Sequence, residues 1–261
     1  MRVSGQPIGT AVKIVLHHPR LIPSLFTGDF DKIYCSYWAV KLKEARKTYD
    51  GIAAQPSDLE RFMSELKAVN EAILTKNYSR IEAFYIPLYM LIRFVKPQVV
   101  VETGVHRGVS SLFILQAMSD NGEGQLYSID LPHAQYESDS GSATKSVLHE
   151  SKIGICVPAA LRDRWKLILG DSREELPALL AKVGEIDIFL HDSKHTFDHM
   201  MWEFQTAWPH ITANGFLLSD DIHWSNAFAE FSSKVKSDKW EFYRDRQSIG
   251  TGKFGIILKR R

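Results

Sequence analysis

Two short stretches gather the residues able to move protons or hold a cation. FLHDSKH at 189–195 ends a hydrophobic run in His191, Asp192 and His195, and SDDIHW at 219–224 leads from another such run into Asp220, Asp221, His223 and Trp224. If the two runs are neighbouring strands of one parallel sheet, their following loops meet at its carboxyl edge, where ligands of open sheets sit. Three carboxylates brought together there repel one another unless one is protonated or a cation joins them. Mg²⁺ is a hard ion that takes oxygen ligands and keeps positions for water and substrate, and it suits Asp192, Asp220 and Asp221 as a set. The plainer reading makes Asp220 and Asp221 caps for the helix whose apolar stripe is Ala227, Phe228, Phe231 and Val235. His195 follows Asp192 by three residues, and an imidazole that titrates near neutrality can take a hydroxyl proton. Its plainer reading is a residue that opens a helix. His191 reads as structural support beside the site, and His223 and Trp224 border a substrate on proximity alone.

HTFDH at 195–199 also resembles the inverted zinc-peptidase pattern H-x-x-E-H. Asp198 stands where that pattern needs a glutamate long enough to reach a zinc-bound water. No third ligand is evident, and a peptidase leaves the glycine loop described next without a purpose.

That loop is ETGVHRG at 102–108, placed between a β-branched run and a helix bearing Val109, Leu112, Phe113, Leu115 and Met118. Strand, glycine turn and helix let a backbone approach a nucleotide-like ligand, because Gly104 and Gly108 carry no side chain to collide with it. The dinucleotide fingerprint G-x-G-x-x-G is not met: Glu102 replaces its first glycine and the second interval is one residue longer. A carboxylate at that position suits a positively charged ligand better than a pyrophosphate. Asp130 ends the next run, where a carboxylate can accept both hydroxyls of a ribose. Asp171 ends the following one in LILGDS, although Ser172 and Glu175 form a capping box there, so Asp171 can equally belong to a helix start.

The elements that must carry these residues alternate along the chain. Runs at 99–101, 125–129, 165–169, 186–190 and 215–218 are strand-like and separated by helical stretches, which predicts a parallel sheet covered by helices on both faces. WEFY at 240–243 and FGIIL at 254–258 lie too close for a helical crossover and predict an antiparallel hairpin closing the sheet. The fold class expected is α/β, a Rossmann-like three-layer sandwich. Residues 1–97 read as a helical N-terminal extension and 98–261 as the Rossmann-like domain. Within the extension, Ser57 and Glu60 form a capping box before a stripe from Leu59 to Ile73, and a second helix spans 79–94 before Pro97. The polar stretch from Pro132 to Asp163 reads as a binding loop or lid, or equally as a disordered insertion.

Taken in order, ETGVHRGVSS, SID, GDS, FLHDSKHTF and LLSDDI resemble the class I S-adenosylmethionine-dependent methyltransferases, and in particular the metal-dependent small-molecule O-methyltransferases. The resemblance covers roughly residues 98–258. It implies that Glu102, Gly104 and Gly108 line the methionine and ribose of S-adenosylmethionine, with Ser110 and Ser111 as weaker candidates. It further implies that Asp130 holds the ribose hydroxyls and that Asp171 with Ser172 lies near the adenine. In this family the D-x-x-H spacing pairs a metal carboxylate with a general base, which implies Mg²⁺ on Asp192, Asp220 and Asp221 and a base at His195. Some relatives carry an acidic residue where this chain has Lys194, which favours His195. The acceptor implied is a small-molecule hydroxyl. A hydroxylase-type tailoring enzyme or a noncatalytic cofactor-binding protein on the same fold are the competing readings.

Composition limits the partners. The 261 residues carry 32 basic and 31 acidic side chains, so no overall field draws the chain to nucleic acid or an anionic membrane. No run approaches the ~20 apolar residues of a membrane span. Cys35 and Cys156 lie far apart in sequence and suggest neither a zinc site nor a disulfide framework, so a reducing, cytoplasmic setting is the simplest expectation. An apolar helical extension could supply the surface of a homo-oligomer.

Overall fold

The computed structural model describes residues 2–3, 6–7, 30–52, 58–75, 82–132, 149–243 and 253–260. Seven strands form one sheet: β1 (Val99–Thr103), β2 (Gln125–Asp130), β3 (Trp165–Leu169), β4 (Ile186–His191), β5 (Ile211–Ser219), β6 (Lys239–Tyr243) and β7 (Lys253–Leu258). Their order across the sheet is β3-β2-β1-β4-β5-β7-β6, parallel except that β7 runs antiparallel to both β5 and β6. This is the Rossmann-like arrangement the alternating runs predict, hairpin included. The strand order reverses between β1 and β4, and the loops after these two strands therefore face each other at the carboxyl edge.

Three helices precede the sheet: α1 (Phe30–Ile52), α2 (Leu59–Thr75) and α3 (Glu82–Val95). Asp58 caps α2 by accepting from the Arg61 N–H at 2.8 Å, and Ser57 of the expected capping box lies outside the described residues. α3 stops where Lys96 turns to φ 52°, and Pro97 has no N–H with which to continue the helix. Helices α4 (Val109–Asn121), α5 (Ser172–Val183), α6 (Phe197–Ala207) and α7 (Ala227–Val235) complete the layers.

The pleat sends alternate residues of β1 into two cores. Val100 joins Trp38, Phe62, Tyr89 and Phe113 on the face covered by α1 to α4. Val101 joins Leu180, Phe204 and Phe228 on the face covered by α5 to α7. The preceding helices thus share a core with one whole face of the sheet. No helix is long and apolar enough to cross a membrane among the described residues.

Cys35 and Cys156 are joined in a disulfide. This corrects the expectation of two separate thiols: a gap of 121 residues in sequence says nothing about distance once α1 folds back over the loop after β1. Of the polar stretch from Pro132 to Asp163, residues 133–148 lie outside the described structure, and the remainder contains two short 3₁₀ turns, Glu150–Lys152 and Ala159–Arg164.

Candidate active site

Each loop at the carboxyl edge is anchored to the end of the neighbouring strand. The Gly104 N–H donates to Ile129 O at 2.9 Å, Gly170 N–H to Asp130 O at 2.9 Å, Asp192 N–H to Thr103 O at 2.8 Å, and Asp220 N–H to His191 O at 2.9 Å. These four bonds line up the glycine loop, Asp130, Asp192 and Asp220 along one edge.

The glycine loop needs its glycines. Gly104 has φ +85°, and a Cβ there would overlap the Asp192 carbonyl; Gly108 has φ +77°, and its Cβ would stand 2.8 Å from the Gly154 Cα. The loop is therefore pressed between the chain at 192–193 and the chain at 154–157, which also takes the Gly154 N–H to His106 O bond at 2.8 Å and the Cys156 N–H to Arg107 O bond at 2.9 Å. Asp130 receives the Val105 and His106 N–H groups on its Oδ2, at 2.5 and 2.6 Å. Burial pushes the Asp130 carboxyl above its usual range, while these two donors pull it down. His106 sits in the turn at φ 50°; burial, with Arg107 beside it, holds its imidazole down to about 4.

Glu102 is placed differently from the expected cofactor ligand. It is fully buried on the α4 side of the sheet and accepts from Ser110 Oγ, from Ser111 Oγ at 2.6 Å and from Ser128 Oγ at 2.8 Å. Trp165 Nε1 in turn donates to Ser128 Oγ at 2.9 Å. Burial raises the Glu102 carboxyl, opposed by the three hydroxyls. Glu102, Ser110 and Ser111 thus form one internal cluster bracing the glycine loop. Asp171 is exposed and caps α5 through the Arg173 N–H at 2.8 Å, and Ser172 turns inward to His199 Nε2 at 3.2 Å. The helix-start reading of Asp171 describes this geometry.

The loops after β4 and β5 do meet. His195 Nε2 lies 3.8 Å from Asp192 Oδ1, and its ring centroid is 5.6 Å from that of Trp224. Trp224 is 63% exposed, the most open large apolar side chain of the described residues. Asp221 has φ 45°, its N–H donates to Asp220 Oδ1 at 2.9 Å, and His223 Nδ1 stands 3.9 Å from Asp221 Oδ1. Asp220 is almost wholly buried. Although the three aspartates share this edge, no three His, Cys, Asp or Glu side chains among the described residues are grouped as metal ligands. The donor set expected for Mg²⁺ is not assembled in this arrangement. Nor do His195 and His199 present a zinc pair: His195 precedes the helix, while His199 Nε2 is bonded to Glu203 Oε1 at 2.9 Å.

The sequence reading missed Glu203, which lies wholly buried behind these loops. The available signal was a glutamate one turn after His199 in an otherwise apolar helix face, a position that demands partners.

Comparison with known proteins agrees with this architecture. Residues 101–222 match the family profile described as a methyltransferase domain. An O-methyltransferase from Bacillus cereus, solved in complex with SAH, superposes with a TM-score of 0.52 at 13% identity, covering 81% of this chain and 96% of that one. TomG from Streptomyces achromogenes, an O-methyltransferase involved in tomaymycin synthesis and solved with SAM, gives 0.51 at 13% identity, covering 80% and 94%. At such identities the likeness is one of fold. No curated protein matches the sequence significantly.

Proposed function

We propose that this chain, whose residues 101–222 match a family described as a methyltransferase domain, is a class I S-adenosylmethionine-dependent methyltransferase that methylates a hydroxyl oxygen of a small molecule with His195 as general base. The observation that carries the reading is the meeting of His195, Asp192 and Trp224 at the edge that also holds the glycine loop and Asp130. When bound, S-adenosylmethionine supplies an activated methyl group on a sulfonium. What remains for the protein is alignment of the acceptor oxygen and removal of its proton.

Asp130 suits the ribose because its Oδ2 is committed to the loop, which leaves Oδ1 to accept hydroxyls. Gly104 and Gly108 keep the turn tight against its neighbours, so their part in cofactor binding is to shape the wall. His195 takes the acceptor's proton, and the Asp192 carboxylate stabilises the charge the ring then gains. Trp224 offers an open indole face beside His195 for the body of the acceptor. Asp192, Asp220 and Asp221 would be the holders of an assisting Mg²⁺, which would stabilise charge on the acceptor oxygen, although the described residues do not group them as ligands.

Calorimetric titration with S-adenosylmethionine, followed by assay of S-adenosylhomocysteine release across phenolic, sugar and antibiotic-type hydroxyl acceptors, tests this. Absence of cofactor binding sinks the reading. Transfer that persists undiminished in His195→Ala removes the base, and comparison of added Mg²⁺ with EDTA decides whether a metal takes part.

A further inference from the structure

Glu203 is a fully buried carboxylate for which the reaction as described has no use. On its Oε2 it accepts from Thr103 Oγ1 at 2.6 Å and faces His191 Nδ1 at 2.6 Å; on its Oε1 it accepts from Ser193 Oγ at 2.9 Å and faces His199 Nε2 at 2.9 Å. An ionised carboxylate only accepts, so both ring nitrogens that face it carry protons. Burial alone would raise this carboxyl, yet His191 and His199 hold it well below the usual range.

The four partners are not scattered. Thr103 is the last residue of β1, immediately before Gly104, and His191 and Ser193 flank Asp192 on either side. One carboxylate on α6 therefore fastens the start of the glycine loop to both neighbours of Asp192, at the place where the Asp192 carbonyl fills the space beside Gly104. The His191 ring, fixed through Nδ1, stands edge-on to the His195 ring at 5.1 Å between centroids. Its other nitrogen, Nε2, is buried without a hydrogen-bond partner among the described residues. Apolar packing could fill this volume without the cost of desolvating a charge, so the arrangement is better explained by the geometry it imposes than by stability.

We propose that Glu203 is the positioning residue of the site: it sets the cofactor-side strand end and the His191–Ser193 segment in one register, and through the His191 ring it sets the place of His195. This rests on the reading of His195 as base. Glu203→Gln keeps the shape but exchanges one acceptor oxygen for a donor, which mismatches two of the four bonds.

The test uses the full chain, labelled with ¹⁵N-histidine, as wild type, Glu203→Gln and Ser193→Ala, with His195→Ala to assign the His195 signals. In Glu203→Gln the His195 ring resonances are expected to shift or broaden while the calorimetric affinity for S-adenosylmethionine stays within a few fold. The kcat for whichever hydroxyl acceptor the wild type turns over falls by about 10²-fold, the scale of an ångström of misplacement, with a smaller change in KM. Ser193→Ala removes one donor and leaves three, so it keeps the experiment readable if Glu203→Gln does not fold; a loss of about tenfold in kcat is expected, by the same scale of misplacement. His195 resonances that ignore both substitutions, or a kcat that does, overturn the proposal. A wild type that turns over no acceptor strikes at the methyl-transfer reading instead, and the resonances then decide the positioning question alone.

Discussion

The backbone carbonyl of Asp192 occupies the space that a side chain on Gly104 would need. Two loops that follow different strands are thus in close backbone contact, and a shift of the glycine loop must move the Asp192 segment. Gly104→Ala would meet both this overlap and a left-handed backbone at φ +85°. Its expected cost is about 3 kcal/mol or more, seen as a lowered Tm together with a loss of S-adenosylmethionine affinity exceeding tenfold. Wild-type affinity in this variant would show that the two loops move independently.

The disulfide between Cys35 and Cys156 is accompanied by other ties from α1 to the glycine loop and its support. Asp31 pairs with Arg107 at 3.3 Å and with Lys152, and the Arg107 guanidinium lies over the Tyr34 ring at 5.4 Å. Closing so long a loop is worth roughly 2 to 5 kcal/mol. Thermal unfolding with and without dithiothreitol should show a clear fall in Tm for the wild type and none for the Cys35→Ser, Cys156→Ser double variant. Equal Tm values for the wild type under both conditions would mean the bond contributes nothing.

His106 gives a pH dependence with a definite sign. Its folded pKa of about 4 lies below the ordinary 6.5, so between these values the unfolded chain binds a proton that the folded one refuses. Stability is therefore lost as pH falls from about 6.5 towards 4 and the loss is complete below that. Glu102 and Asp130, both raised by burial, act in the opposite sense, so the difference between wild type and His106→Asn isolates the ring; asparagine tolerates the positive φ. Denaturant titrations at several pH values should give a flatter profile for the variant between 4 and 6.5. Parallel profiles would remove His106 as the cause.

Asp130→Ala should weaken S-adenosylmethionine by more than tenfold, since it removes the proposed ribose acceptor and releases the Val105 and His106 N–H groups at once. Asp130→Asn keeps a carbonyl for those two donors and should fold like the wild type while still binding less tightly. Calorimetry on the pair separates the two roles; an Asp130→Asn variant with wild-type affinity would assign Asp130 to the loop alone.

Much of the fold is legible in the residues: the β-branched runs, the break at Pro97 and the short gap between Tyr243 and Lys253 lead to the observed parallel sheet and its antiparallel edge. The site is legible only where strand order decides it, as with Asp192, His195, Asp220 and Trp224. Side-chain direction is another matter. Glu102 and Thr103 are consecutive, and the pleat sends one to the three serines and the other to Glu203, a division that no motif at 102–108 announces. Asp171 fits a cap and a ligand equally well in sequence, and only the 2.8 Å bond to Arg173 assigns it. The Cys35 to Cys156 pairing depends on how α1 folds back, which lies in tertiary packing rather than in spacing.

The covalent ring that runs from Cys35 to Cys156 contains α2, α3, β1, the glycine loop, α4 and β2. Asp192, His195, Glu203 and Trp224 all lie outside it. In the unfolded chain the half with the glycine loop is thus a tethered circle and the half with His195 and Glu203 an open tail, so oxidation restricts the two very unequally. A protease acting on partly opened molecules should release pieces of the tail first and leave the circle, even when nicked, held as one fragment until the sulfurs are reduced.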